Sequence, residues 1–81
     1  MASLEKLNET NFVLRGDLVF ETISVVYEEN LSIFQNIKTS INISLEGVEH
    51  VDSSGLALIV DWFRLMKKNK LHLHITNMPQ Q

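Results

Sequence analysis

Four consecutive residues, an acid, two hydroxyls and a glycine, form the segment of this chain that is best suited to chemistry. This loop separates an alternating apolar segment from a strongly hydrophobic one and consists of Asp52, Ser53, Ser54 and Gly55. Asp and Ser side chains accept hydrogen bonds from the free N–H groups of a first helical turn, and glycine lets another backbone or a partner approach closely. A serine hydroxyl placed there lies at the positive end of the helix dipole, which favours a phosphate or an acidic partner group.

The same four residues have plainer interpretations, of which a simple helix N-cap is the commonest. A nucleophilic serine needs an adjacent base, and the Gly-X-Ser-X-Gly turn of hydrolases is absent. His72 and His74 project from one face of a strand, but a zinc site needs three or four ligands and the spacing supplies no third. We therefore expect no enzymatic activity, no metal and no cofactor.

Composition limits the remaining classes of function. The chain has 81 residues, 44% of them hydrophobic, and a formal net charge of −3, so it forms one domain at most. Nucleic-acid binding needs clustered Lys and Arg, and the acidic balance argues against it. There is no cysteine, no apolar signal segment in the first eleven residues and no apolar run long enough to span a bilayer. We expect a cytoplasmic protein.

The apolar pattern predicts the element order β-β-α-β-α-β. Residues 1–10 are polar and are expected to form an N-terminal arm, with a single domain over 11–81. Predicted strands cover 12–15, 18–19, 41–45 and 71–75, the first two joined by a tight turn at Gly16, and predicted helices cover 21–35 and 54–69. A strand, a crossover helix and a following strand usually build a right-handed parallel unit. The predicted fold class is α/β, a small mixed sheet with helices packed on one face.

The two predicted helices differ in how much of their surface is apolar. The first has one stripe, which we expect to face the core, whereas Asn30 lies among the outward glutamates. That stripe consists of Phe20, Ile23, Val26, Tyr27, Leu31 and Phe34. The second has an apolar sector of roughly 200°, against the stripe of roughly 100° that a helix on a sheet needs. One part of this sector is expected to face the sheet, namely Leu56, Ile59, Val60, Phe63 and Met66.

The rest of that sector, centred on Leu58, Trp62 and Leu65, needs a second cover. The neighbouring helix, a further C-terminal helix and another protein are the three alternatives. Trp is over-represented as an anchor in protein interfaces, and Trp62 is the chain's single Trp. These three residues are therefore candidate partner-binding residues.

The segment Asp52-Ser53-Ser54-Gly55-Leu56 resembles the signature loop of STAS domains, and the similarity covers about residues 12–79. Within that family, 16–23 and 55–62 are most similar to the MlaB-like cytoplasmic STAS subunit of the Mla phospholipid-transport ABC system. The resemblance implies a non-enzymatic adaptor. It would dock on the ATPase subunit, support the assembly or activity of that subunit, and lie at the inner membrane only through this partner.

The resemblance also assigns roles to residues of the loop. Ser53 would be the contact or phosphorylatable hydroxyl, and Asp52, Ser54 and Gly55 would shape the loop around it. Serine after the Asp is the phosphorylated residue of anti-sigma-factor antagonists, so an antagonist switched by an anti-sigma kinase is the alternative function. A stable fragment without function is a third interpretation.

One departure from the family concerns the end of the sequence. STAS domains continue into a last helix, and here the sequence stops just after Pro79. We expect this chain to lack that helix, and the surface left uncovered favours self-association into a homodimer.

Overall fold

The structure is a computed structural model that describes residues 2–79. Its elements follow the predicted order, which confirms the α/β fold class. They are β1 (Ser3–Lys6), β2 (Asn11–Arg15), α1 (Phe20–Asn36), β3 (Ile41–Gly47), α2 (Ser53–Lys68) and β4 (Leu73–Thr76). Among the described residues, the strands form one mixed sheet in the order β1-β2-β3-β4, in which β1 is antiparallel to β2 and the other neighbours are parallel. Residues 2–79 contain no helix with the length and apolar character needed to cross a bilayer.

Of the two strands predicted before the first helix, 12–15 is confirmed as β2, whereas its partner is a different segment. β1 lies inside the segment 1–10 and pairs with β2, with Leu4 opposite Leu14. The predicted strand at Leu18 and Val19 is wrong, because Leu18 forms an isolated parallel bridge to Val51 and Val19 is the N-cap of α1. β1 has the sequence Ser-Leu-Glu-Lys. An edge strand with one apolar residue gives no alternation from which it could be recognised.

Burial alternates along β3, so one face of the sheet carries the core. Ile41, Ile43 and Leu45 are buried, and the residues between them are half-exposed. Both helices contribute buried residues to the same core cluster, as do β2 and β4. At the contact between the helices, Phe34 of α1 stacks on Trp62 of α2, with ring centroids 4.8 Å apart and planes 13° from parallel.

The buried face of α1 includes Val26 and Phe34 of the predicted stripe but is rotated away from its other aromatic residues. Val26, Asn30 and Phe34 are its buried residues, whereas Phe20 and Tyr27, predicted to face the core, are 73% and 40% exposed. Asn30, predicted to face outward, donates a hydrogen bond from Nδ2 to the Val26 carbonyl at 2.8 Å, and this bond satisfies a polar group inside the core. The rotation leaves two aromatic rings at the surface.

Candidate functional site at the start of the second helix

The Asp52 carboxylate caps both helices. Its Oδ1 accepts a hydrogen bond from the Gly55 N–H at 3.0 Å, in the first turn of α2. Its Oδ2 accepts one from the Phe20 N–H at 2.9 Å, at the start of α1. These two backbone donors, Phe20 first, hold the pKa of Asp52 below its ordinary value. One side chain therefore fixes the positions of two helix N-termini relative to each other.

The backbone of Leu18 forms hydrogen bonds to the residues on both sides of Val51, and these bonds also position the loop. Its N–H donates to the His50 carbonyl at 2.9 Å, and its carbonyl accepts from the Asp52 N–H at 3.1 Å. Gly55 lies against the same residue. A Cβ on Gly55 would collide with the Leu18 carbonyl oxygen and would lie 2.9 Å from the Leu18 Cβ. Close approach of two backbones is the physical reason for glycine at this position, as its type and place in the loop predict.

A second carboxylate orders the residues just before the loop. Asp17 Oδ1 accepts from the backbone N–H groups of His50, at 3.1 Å, and Glu49, at 3.3 Å, and Oδ2 lies 3.3 Å from His50 Nδ1. Desolvation raises the pKa of Asp17, but the hydrogen bonds from His50 and Glu49 outweigh it and leave the pKa below its ordinary value. This role of Asp17 has no local sequence signal, because the N–H groups that it binds lie 32 and 33 residues away.

The two serines of the loop face different surroundings. Ser53 is the first residue of α2 and is exposed, and no hydrogen bond joins its hydroxyl to another residue of the described chain. Ser54 is half-buried and lines a groove between the two helices. The loop thus presents the Ser53 hydroxyl to solvent at the N-terminus of a 16-residue helix, where the backbone dipole favours negative charge.

The structure corrects the predicted face of α2. Trp62 and Leu58, two of the candidate partner-binding residues, are 1% and 4% exposed and pack inside the core, and Leu65 is half-buried against it. The neighbouring helix is therefore the cover for this stripe. The cause of the error is the width of the apolar sector, because periodicity alone does not tell which part of a nearly continuous apolar surface faces the sheet.

The exposed apolar residues of α2 lie on the other side of the helix. Three residues predicted to face the sheet are instead 49%, 45% and 42% exposed, and they are Leu56, Val60 and Phe63. Their spacing of four and three places them along one face. Ser53 precedes Leu56 by three positions and lies on that face, so we name these four residues the outer α2 face. α2 does carry more apolar surface than the fold buries, as its sequence predicts.

The surroundings of the histidines bear on metal binding. In the part of the chain that the structure describes, no group of three or more His, Cys, Asp or Glu residues is placed to hold a metal ion. His72 and His74 are exposed at β4, and His50 pairs with Asp17. The described residues therefore offer no ligand set at these positions.

Comparison with known proteins identifies the family. The family model described as the MlaB STAS domain matches residues 2–81, which is nearly the whole sequence and includes β1. No curated protein shows a significant match to the chain. The chain belongs to the MlaB-like STAS domain family, which indicates a protein-interaction role of adaptor type.

Proposed function

We propose that this chain is a non-enzymatic adaptor that docks, through the outer α2 face, on the ATPase subunit of a phospholipid-transport ABC system of the Mla type. Docking would support the assembly or activity of that subunit and hold the adaptor at the cytoplasmic side of the inner membrane. The observation that carries the proposal is an exposed hydroxyl, Ser53, aligned on one helix face with three exposed apolar side chains.

The chemistry of this face suits a protein partner. Monomeric proteins rarely leave a row of large apolar side chains uncovered unless the row binds something. Phe63 is the aromatic residue of the row, and aromatic anchors dominate the energetics of many interfaces. Ser53 adds a polar contact at the positive end of the helix, which favours an acidic group or a carbonyl oxygen of the partner.

The surroundings of Ser53 support binding over catalysis. A nucleophilic serine requires a base within hydrogen-bond reach. The neighbouring Asp52 carboxylate already accepts hydrogen bonds from the N–H groups of Phe20 and Gly55. The ring of His50 lies beside Asp17 at 3.3 Å. Neither group forms a hydrogen bond with the Ser53 hydroxyl.

Co-purification of the full chain with the ATPase subunit tests the proposal. Val60→Glu places a charge in the centre of the outer α2 face and should abolish capture. Phe63→Ala should weaken binding at least about 30-fold, which corresponds to a hot-spot loss of about 2 kcal/mol. Val25→Glu is the matched control, because Val25 is 39% exposed on α1 and lies away from that face. Equal capture of the Val60 and Val25 variants would refute the proposed docking face.

The alternative is an anti-sigma-factor antagonist switched by phosphorylation, and the exposure of Ser53 favours it as a second candidate. A phosphate would add a charge of about −1.5 to −2, which the N-terminus of α2 stabilises but an acidic partner repels. Phosphosite mapping of the protein from cells separates the two functions. Stoichiometric phosphate on Ser53 that is lost when a kinase partner is removed would support the switch, and unmodified Ser53 in all growth conditions supports the adaptor.

A further inference from the structure

A second apolar surface lies between the two helices, apart from the outer α2 face. Its floor and walls come from both helices over about three turns. The residues of this interhelical groove are Phe20, Ile23, Ser24, Tyr27 and Glu28 of α1, and Ser54, Ala57, Leu58, Asp61, Arg64 and Leu65 of α2. Ser54 and Leu65 are eleven residues apart on α2, so the groove is about 16 Å long at about 1.5 Å per residue.

The groove is shaped by one small residue and two aromatic rings. Ala57 is exposed and presents a methyl group where a larger side chain would fill the space. Phe20 and Tyr27 stand on the opposite wall with much of their rings in solvent. Phe20 is held there by the bond from its N–H to Asp52, so the wall is fixed at the point where both helices begin. Exposed aromatics beside an alanine form a surface into which a partner can insert apolar side chains.

The walls of the groove determine which kind of segment it can bind. Both walls are α-helices, whose interior N–H and C=O groups bond within each helix. An extended peptide would gain no backbone hydrogen bonds there, unlike a strand added to a sheet edge. A helical segment needs no backbone hydrogen bonds from the groove, because its own are made internally. It can pack an apolar face between α1 and α2, with ridges of side chains fitting into grooves. A helix of about eleven residues matches the length of the groove.

Charge on the rim restricts the partner further. Glu28 on α1 and Asp61 on α2 flank the groove from opposite sides. No ion pair joins Glu28 to another residue within 2–79. Asp61 pairs at 3.6 Å with Arg64, which lines the same end of the groove, and both side chains are exposed, so solvent screens this pair. Glu28 is therefore the main acidic contact that the rim offers to an occupant. An occupant with Lys or Arg bordering its apolar face would complement this rim. A second copy would bring a net charge of −3 and the acidic surface of its own α1, which disfavours self-occupancy.

We infer that the interhelical groove is a binding site for a basic amphipathic α-helix of a partner protein, with its apolar residues against Tyr27 and Ala57 and its cations beside Glu28 and Asp61. The inference does not depend on which protein contacts the outer α2 face. The domain would then have two docking surfaces, the interhelical groove and the outer α2 face that includes Ser53.

Titration of the isotope-labelled full chain with a synthetic peptide, followed by NMR, tests this inference. The probe is a 15-residue helix of Leu, Ala and Lys with lysines on both borders of one leucine face, and its counterpart has Glu in place of every Lys. The basic peptide should shift the amide signals of Ser24, Tyr27 and Ala57, and the acidic peptide should not bind. Ala57→Trp should weaken binding at least about tenfold, because the ring occupies the groove.

Charge reversal provides the matched control. Glu28→Lys should lower the affinity for the basic peptide about fivefold or more at low salt. Glu29→Lys makes an equal charge change on the neighbouring exposed residue of α1, and it should change the affinity less than about twofold. Four results would overturn the inference: no binding of the basic peptide, equal effects of the two reversals, peptide-induced shifts centred on Leu56, Val60 and Phe63, or groove signals that move with protein concentration alone. Spectra of each variant without peptide report whether it remains folded.

Discussion

Replacing Trp62 with alanine should destabilise the fold, because the structure makes this residue part of the core. Its side chain is 1% exposed and its ring stacks on Phe34 with centroids 4.8 Å apart. Truncation of a buried Trp costs about 3–5 kcal/mol, including the contacts of the lost ring. An 81-residue domain has a total free energy of unfolding of about 4–12 kcal/mol. The substitution therefore removes between a quarter and all of the stability.

Urea unfolding followed by far-UV circular dichroism measures this loss, since the substitution removes the chain's single Trp and with it the fluorescence signal. Phe63→Ala is the control: its ring is 42% exposed on the same helix, so the expected cost is about 1 kcal/mol or less. If Trp62→Ala does not fold, Trp62→Phe should still cost about 1–3 kcal/mol. Equal costs for the Trp62 and Phe63 alanine variants would refute the assignment of Trp62 to the core and Phe63 to the surface.

Two further predictions concern the loop itself. Gly55→Ala should lower the free energy of unfolding in urea by about 2 kcal/mol, because the new Cβ collides with Leu18. The control Ser54→Ala should lower it by less than about 0.5 kcal/mol. Similar losses for the two variants would contradict the close approach of Gly55 to Leu18. Asp52→Asn should reduce the acid sensitivity of stability, because a carboxyl with a lowered pKa stabilises the fold above its unfolded value of 3.8 and loses that contribution as pH falls through the folded value. Unfolding midpoints of both proteins between about pH 6 and pH 2.5 measure the difference, and identical pH profiles would refute the double cap.

Periodicity sufficed to predict the helices and the inner strands. α1 and α2 begin and end within one residue of the predicted bounds, and β3 alternates as predicted. Strand alternation has a period of two, so the buried side of β3 follows directly from the positions of Ile41, Ile43 and Leu45. β1 was missed for the opposite reason, because its short polar sequence is paired through the backbone and contributes few side chains to the core.

The orientation of α2 could not be predicted from the sequence. Two adjoining apolar stripes cover more than half of its circumference, and either could face the sheet. The contact of Trp62 with Phe34, 28 positions away along the chain, depends on how the two helices pack together. Asp52 shows the same limit. Capping rules predict that its carboxylate accepts a hydrogen bond from the Gly55 N–H, but they do not predict the hydrogen bond from the Phe20 N–H, 32 residues away. The loop was recognisable from residue type, and the surface around it was not.

Site-specific photo-crosslinking tests the proposed docking face most directly. A crosslinking amino acid at Val60 should join the full chain to the ATPase subunit in cells, because this position lies in the centre of the outer α2 face. The same group at Val25, similarly exposed on α1, should not. A crosslink from Val25 with none from Val60 would contradict the account.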